Sequence, residues 1–307
     1  MGIKLKSADI VRTAYRINTV VPGFNIPYLP MMEPVVRALV DSKAFGMIMV
    51  ARLEWTKFKS GGVRQIAEEY RKVCNESYTR LHLDHVPVID EDNLDVGYAE
   101  IISEALEMGY DSAMIDGSRL SLDENIRCTR EIVEIASKYG VAIEGELGAV
   151  FGHESGPLPP YEELFASGRG FTDVGEALRF RRETGVDWLS VAVGNIHGAI
   201  SAAKKTEGKI ETKIDIKRID EINKALGIPL VLHGGTGIRK EYILEGIRHG
   251  IAKINVATAI RQPYEKMSMV SVERGQQAVY ETMLKIIKDE LQLQGSAEKL
   301  LNDRGEI

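Results

Sequence analysis

The stretch EALRFRRETGVDWLSVAV (Glu176–Val193) reads as an amphipathic helix, a glycine stop and a short apolar run. Glycine just past a helix supplies the left-handed conformation that ends it, and a continuous apolar run of about 4–8 residues is how a strand buried on both faces is spelled. The same pattern recurs elsewhere. SEALEM leads to Gly109 and DSAMID, EIVEIASKY to Gly140 and VAIEGEL, EINKAL to Gly227 and IPLVLH, and YILEGIRH to Gly250 and IAKINV. Strands alternating with helices make βαβ units and a parallel sheet. Three earlier runs, TVVPGFNI near residue 20, FGMIMVA near residue 47 and YTRLHLD near residue 80, bring the candidate strands to eight. Eight strands, each followed by a helix, in 307 residues predict a single-domain (β/α)8 TIM barrel. No GxGxxG follows the first strand, which argues against a doubly wound dinucleotide fold.

Composition narrows the function classes. A hydrophobic content of 44% allows a large core, and a net charge of −6 with dispersed lysines and arginines gives no footprint for nucleic acid. Cys74 and Cys128 lie far apart and outside any CxxC, which suits a reducing compartment better than a disulfide framework. MGIKLKSADIVRTAYRINTV offers no apolar signal-peptide core, and no uninterrupted apolar stretch approaches the roughly 20 residues that span a bilayer. A cytoplasmic protein with no membrane partner is expected.

One connection departs from the rhythm. Val150 to Gly170, after the fifth strand, carries glycines and three prolines and reads as an active-site lid at about 150–171, or as a tolerated surface insertion. From about residue 259 the chain reads as a C-terminal helical segment, in which VYETMLKIIKDELQ has apolar spacing suited to packing on the barrel or on a second subunit.

Reactive side chains in a TIM barrel sit at the C-terminal ends of strands and in the loops that follow. The third strand ends in LHLDH (His82, Asp84, His85), the fourth in MIDGS (Asp116) and the fifth in EGELG (Glu144, Glu146). The sixth is followed by VGNIHG (Asn195, His197), the seventh by LHGGTG (His233) and the eighth by NVAT (Asn255, Thr258). Histidines from three strand ends converge on one mouth, and three imidazoles with an open position make a catalytic zinc arrangement. Alternation puts His82 and Asp84 on one face and leaves open whether His85 reaches the mouth; for His82 a core or supporting role is the better reading. LHGGTG and NVAT, at the ends of strands seven and eight, form a candidate phosphate cradle.

With these residues assembled, the chain resembles the class II, metal-dependent ketose-bisphosphate aldolases, the group of fructose- and tagatose-bisphosphate aldolases. The resemblance runs from about Ala14 to Arg261 through GFN, LHLDH, SAMIDGS, EGELG, TDVGEALRFRRETGVD, VAVGNIHG, LHGGTG and KINVAT. It implies cleavage of a ketose phosphate or bisphosphate to dihydroxyacetone phosphate, or a similar ketone, and an aldehyde through a metal-stabilised enediolate. His85, His197 and His233 would bind Zn2+ or another divalent ion, with Glu146 as a further ligand, Asp116 near the metal and a monovalent cation as a companion. Asp84 would be the general acid/base on the aldehyde-derived hydroxyl, and Glu154 would move the proton at the carbon forming the new bond, with His153 where the family has a second acid. Gly198, Gly234, Gly235, Thr236, Asn255 and Thr258 would surround the phosphate, and Asn25 would lie near the substrate. The family's homodimers and homotetramers are expected as well. Lys253, inside the eighth strand, is the candidate for a Schiff-base route, which would leave the histidines unexplained.

Three departures bear on specificity. Arg52, in MVARLEW, stands at or near the family's substrate-contacting serine and is either a substrate contact or a surface arginine. Ala257 replaces the aspartate of fructose-type enzymes, closer to the tagatose-type spelling, and the family's proline- and arginine-containing segment is not recognisable beyond Arg261. Arg52 and the 157–170 stretch are therefore expected to select a substrate other than plain fructose 1,6-bisphosphate. A metal-dependent sugar-phosphate isomerase or epimerase, or a noncatalytic sugar-phosphate binder, is the alternative function.

Overall fold

The computed structural model describes residues 5–150, 160–196 and 212–302. Eight strands close into one barrel in chain order: β1 (Val21–Asn25), β2 (Gly46–Ala51), β3 (Thr79–Pro87), β4 (Ser112–Asp116), β5 (Ala142–Leu147), β6 (Trp188–Val191), β7 (Leu230–Leu232) and β8 (Ile251–Val256). Every neighbouring pair is parallel, and β8 pairs back to β1. The fold is a (β/α)8 barrel, and each run read as a strand contains one.

The local chemistry works as the spelling requires. The glycines closing the helices have φ of 84° at Gly109, 63° at Gly140, 73° at Gly185, 60° at Gly227 and 112° at Gly250, a region that costs other residues on the order of 1 kcal/mol. Helix starts are capped by side chains. Asp173 accepts from the Glu176 N–H at 2.9 Å and Asp215 from the Arg218 N–H at 3.0 Å, while Ser121 and Glu124 form a reciprocal capping box.

The interior changes character from bottom to top. Near the N-terminal ends of the strands, Val21, Met47, Trp188 and Val231 pack with Ile10, Val11 and Ala14 of the helix Ser7–Arg16, all buried. Each of the larger apolar side chains contributes roughly 1.5–3 kcal/mol by leaving water, and together they stopper that end. Above this plug the buried side chains turn polar and charged: His82, Asp84, Glu144, Glu146, Lys253 and Asn255. A second apolar shell joins the outer faces of the strands to the helices, among them Val279 and Met283 of Val272–Lys285. Ala297 and Leu300, from the helix Ser296–Asn302, join the plug itself. In the connection after β5, Tyr161–Ser167 is helical. Among the described residues no helix is long and apolar enough to cross a membrane.

Candidate active site

The orientation of His85 is decided by an irregularity in β3. His82 and Leu83 pair with Ser112 and Ala113, but Val86 and Pro87 pair with Ile115 and Asp116, so β3 carries one extra residue between Leu83 and Val86. A bulge of this kind re-aims a side chain. His85 has φ of 22°, a value uncommon for a residue with a side chain. Asp84 and His85 consequently both line the cleft at the barrel mouth.

Across that mouth His85 meets His233, from the end of β7. His85 Nε2 lies 2.6 Å from His233 Nδ1, with the rings edge to face. The other nitrogen of each ring is held from behind. Asp116 Oδ2 is 3.1 Å from His85 Nδ1, and Glu144 Oε1 is 2.7 Å from His233 Nε2. Ionised carboxylates only accept, so each rear nitrogen carries a proton, and in a neutral ring the lone pair is then on the facing nitrogen. Two lone pairs at that distance repel unless a cation or a proton lies between them. Carboxylate-backed imidazoles with inward lone pairs are how proteins prepare histidines for a metal. Tetrahedral ligands at about 2.0–2.1 Å from zinc sit roughly 3.4 Å apart, so the rings would part by under about 1 Å to accept one.

The surrounding charges favour a cation too. Burial alone would depress the His85 ring, yet Asp84, Glu146 and Asp116 raise it to about 10. Burial and the neighbouring His85 lower His233. Glu146, two residues beyond Glu144 on the same inward face of β5, is buried; its Oε2 lies 3.6 Å from His85 Nδ1 and has no hydrogen-bond partner among the described residues. Burial, with Asp116 adding to it, pushes its carboxyl well up. The donor atoms of Asp84, His85 and His233, and those of His85, Asp116 and Glu146, form two groups within 4.8 Å that could hold a metal ion.

A buried polar chain ties these groups together. Glu144 accepts from Trp188 Nε1 at 2.6 Å and from Lys253 Nζ at 2.9 Å, in addition to facing His233. Burial would raise its carboxyl, but the Lys253 ammonium and the His233 ring hold it well below the usual range. Lys253 also donates to Asn255 Oδ1 at 2.7 Å, and Asn255 Nδ2 donates to Asp84 Oδ1 at 2.8 Å. Asn25 Nδ2 reaches Asp84 Oδ2 at 2.8 Å. Both oxygens of Asp84 are therefore fixed by amides. Burial works against its charge, but the histidines and Lys253 lower it to about 2. Lys253 is fully buried and committed to Glu144 and Asn255, which is not the place of a Schiff-base nucleophile. His82 pairs with Ser112 Oγ at 2.8 Å and is held neutral by burial and by Lys253.

The cleft is open to solvent at its mouth. One wall is the candidate phosphate cradle: Gly234, Thr236, Asn255 and Thr258. Gly235 lies behind it. A Cβ there would come within 2.9 Å of the Ile254 side chain and 3.1 Å of the Asn255 carbonyl, and its N–H donates to that carbonyl at 3.3 Å. Its contribution is close approach of the two loops rather than a free donor. Thr236 Oγ1 accepts the Ala259 N–H at 3.3 Å. The cleft is also lined by Leu53, Glu54, Phe58 and Arg261, to which the sequence reading gave no part in the site.

Of the residues singled out from sequence, Asn25, Asp84, His85, Asp116, Glu146, His233, Gly234, Thr236, Asn255 and Thr258 thus gather at or beside one cleft. Arg52 is not among its lining residues; it opens the helix Arg52–Thr56 and pairs with Asp90 at 3.1 Å. Asn195 is a strut, taking the Val193 N–H at 2.8 Å and donating to the His233 carbonyl at 3.0 Å. His153, Glu154, His197 and Gly198 lie outside the described residues. Glu144 and Lys253 were singled out from sequence but not as supports, a role parity could have suggested, each being a charged residue two positions before a site residue on the inward face of a buried strand.

Residues 5–299 match the family described as class-II fructose-bisphosphate aldolase. A fructose-bisphosphate aldolase of Streptococcus pyogenes serotype M3 is 33% identical over 83% of this chain and 78% of its own. The 6-phospho-5-dehydro-2-deoxy-D-gluconate aldolase of Bacillus licheniformis is 33% identical over 75% of this chain and 79% of its own. A crystal structure of a Coccidioides immitis protein assigned as a fructose-1,6-biphosphate aldolase superposes with a TM-score of 0.75 at 28% identity, covering 95% of this chain and 98% of that one. The chain belongs to the class II fructose-bisphosphate aldolase family and is an aldolase, a carbon–carbon lyase acting on a sugar phosphate.

Proposed function

We propose that this aldolase cleaves a ketose phosphate to dihydroxyacetone phosphate and an aldehyde, using a divalent cation held by His85 and His233. The family resemblance adds His197 to that ligand set. The observation that carries the reading is the pair of inward-facing imidazole nitrogens 2.6 Å apart, each ring backed by a carboxylate. Such an ion, Zn2+ by resemblance, would supply Lewis-acid polarisation of the ketone and stabilise the charge left when the bond beside it breaks. Glu146, buried with one oxygen unpaired among the described residues, is an additional or alternative ligand.

This chain's own residues then divide the remaining work. The Gly234–Thr236 turn with Asn255 and Thr258 holds the ketone half by its phosphate. Asp84, ionised and fixed by Asn25 and Asn255, takes the proton from the hydroxyl that becomes the aldehyde oxygen. Glu154 is assigned by resemblance to the proton transfer at the neighbouring carbon, and the 150–171 connection to lid closure over the cleft. Assembly as a homodimer or homotetramer is part of the same reading, and the exposed apolar Met269 and Val270, between two C-terminal helices, favour it.

The reading is tested by following triose phosphate release from ketose mono- and bisphosphates before and after chelation. Release that stops on chelation and returns with Zn2+ is expected. Undiminished turnover after exhaustive chelation, or ketose isomerisation without triose phosphate, would refute it.

A further inference from the structure

The cleft holds a buried acid that the reaction chemistry above leaves idle. Glu54 is the third residue of the helix Arg52–Thr56, which follows β2, and is only 6% exposed. It lines the cleft together with Asn25 and Asp84. Its Oε2 accepts the Ala51 N–H at 2.8 Å, closing the helix start, and the Asn25 amide at 3.4 Å. The same amide nitrogen donates to Asp84 Oδ2 at 2.8 Å, so one side chain bridges the two acids and both its hydrogens are spent. Among the described residues nothing hydrogen-bonds to the other oxygen, Oε1. Closing the helix start takes one oxygen of Glu54, and the second is left for the contents of the cleft.

The state of the carboxyl decides what that oxygen offers. Burial pushes Glu54 up to about 8, against the Ala51 hydrogen bond and with the Asp84 charge adding to it. Near neutral pH the group is therefore mostly protonated. Oε2 already faces two N–H donors, so the proton sits on Oε1, which presents an O–H donor with acceptor capacity on the same atom. A substrate hydroxyl can meet both, whereas a methylene meets neither and leaves a buried polar group unpaired.

The Asn25 bridge places this donor along the substrate. Asp84 holds the hydroxyl that becomes the aldehyde oxygen, and Glu54 stands one amide away from it. The oxygen on the next carbon of the aldehyde half is then the one within reach of Oε1. We infer that Glu54 reads this hydroxyl, so that the aldehyde released is a 2-hydroxyaldehyde. The inference rests on the aldolase reading above and makes Glu54 a specificity residue, with the proton transfer left to Asp84.

The test is condensation of dihydroxyacetone phosphate with two pairs of aldehydes that differ only in this hydroxyl: D-glyceraldehyde 3-phosphate against 3-oxopropyl phosphate, and D-glyceraldehyde against 3-hydroxypropanal. The unaltered enzyme is expected to favour the hydroxylated member by about tenfold or more in kcat/KM, as a site built to hydrogen-bond a hydroxyl predicts. Glu54→Gln can accept both N–H groups with its amide oxygen and turn its NH2 to the cleft, so the preference should stay within about threefold of the parent's. In Glu54→Met it should collapse. A purely supporting role would lower both members of a pair alike and leave their ratio unchanged. Thermal unfolding reports whether Glu54→Met folds; if it does not, the unaltered enzyme and the Gln variant decide. No preference in the unaltered enzyme, one that survives in Glu54→Met, or one lost in Glu54→Gln overturns the assignment. Exchange of dihydroxyacetone phosphate protons with D2O in the unaltered enzyme, followed by NMR, needs no aldehyde and separates the failures. Exchange without preference overturns the role of Glu54 alone, and absence of both exchange and condensation overturns the aldolase reading with it.

Discussion

His85 and His233 meet nitrogen to nitrogen at 2.6 Å, with Asp116 behind one ring and Glu144 behind the other. The two carboxylates hold the rear proton of each ring, so that the facing nitrogens are the ones left to a metal when the rings are neutral, and they act on it without touching it. Asp116→Asn and Glu144→Gln are each expected to weaken metal binding about 10–100-fold. Competition against a chromogenic chelator measures this, and unchanged affinity in both variants would show that the rear carboxylates do not prepare the rings.

Asp84 accepts one amide hydrogen bond on each oxygen, from Asn25 and Asn255. Asp84→Asn should lower kcat about 10²–10⁴-fold, the usual range for a proton-transfer group, while metal content stays the same. A new amide facing two donors should also cost about 1–3 kcal/mol of stability. Steady-state kinetics, metal analysis and denaturant unfolding on one preparation separate the two effects.

Lys253 is the buried ammonium beside Glu144. Lys253→Met leaves that carboxylate without its cation and should cost about 3–5 kcal/mol in denaturant unfolding. The double variant with Glu144→Gln should recover part of the loss. A single variant as stable as the parent would mean that the pair does not hold the barrel interior together.

His82 gives the acid side of the stability profile its slope. Burial and Lys253 lower its folded pKa from 6.5 to about 3. A depressed folded value means the stabilisation is complete above about 6.5 and is lost as pH falls toward 3, because the unfolded chain takes up the proton first. The stability of the parent relative to His82→Gln should therefore fall by roughly 4 kcal/mol between pH 6.5 and 3.5 in denaturant unfolding, a comparison that removes the opposite drift from the raised carboxyls of Glu54 and Glu146. A difference that is flat across that interval would contradict a buried neutral His82.

Much of this was legible in the chain itself, and the rest was hidden for identifiable reasons. Helix–glycine–strand repeats are local, so the barrel and the strand-end placement of Asp84, His85, Asp116 and His233 could be read directly. The aim of His85 could not, because the extra residue in β3 exists only in its pairing with β4. Arg52 stood in the position where the resemblance called for a substrate contact, but Asp90, on another loop, draws its side chain into an ion pair. Arg261 lies at the edge of the recognisable motifs, and its partner Phe58 comes from a distant part of the chain. Glu54 is similar: its burial depends on the turn after β2, where it accepts the Ala51 N–H at 2.8 Å.

X-ray absorption at the zinc edge of zinc-loaded protein, with metal stoichiometry determined on the same sample, tests the shared cation most directly. One ion per chain is expected, with imidazole scattering from at least two rings at about 2.0–2.1 Å that is lost in both His85→Ala and His233→Ala. An ion with no imidazole in its shell, or one bound equally well by either alanine variant, would contradict it.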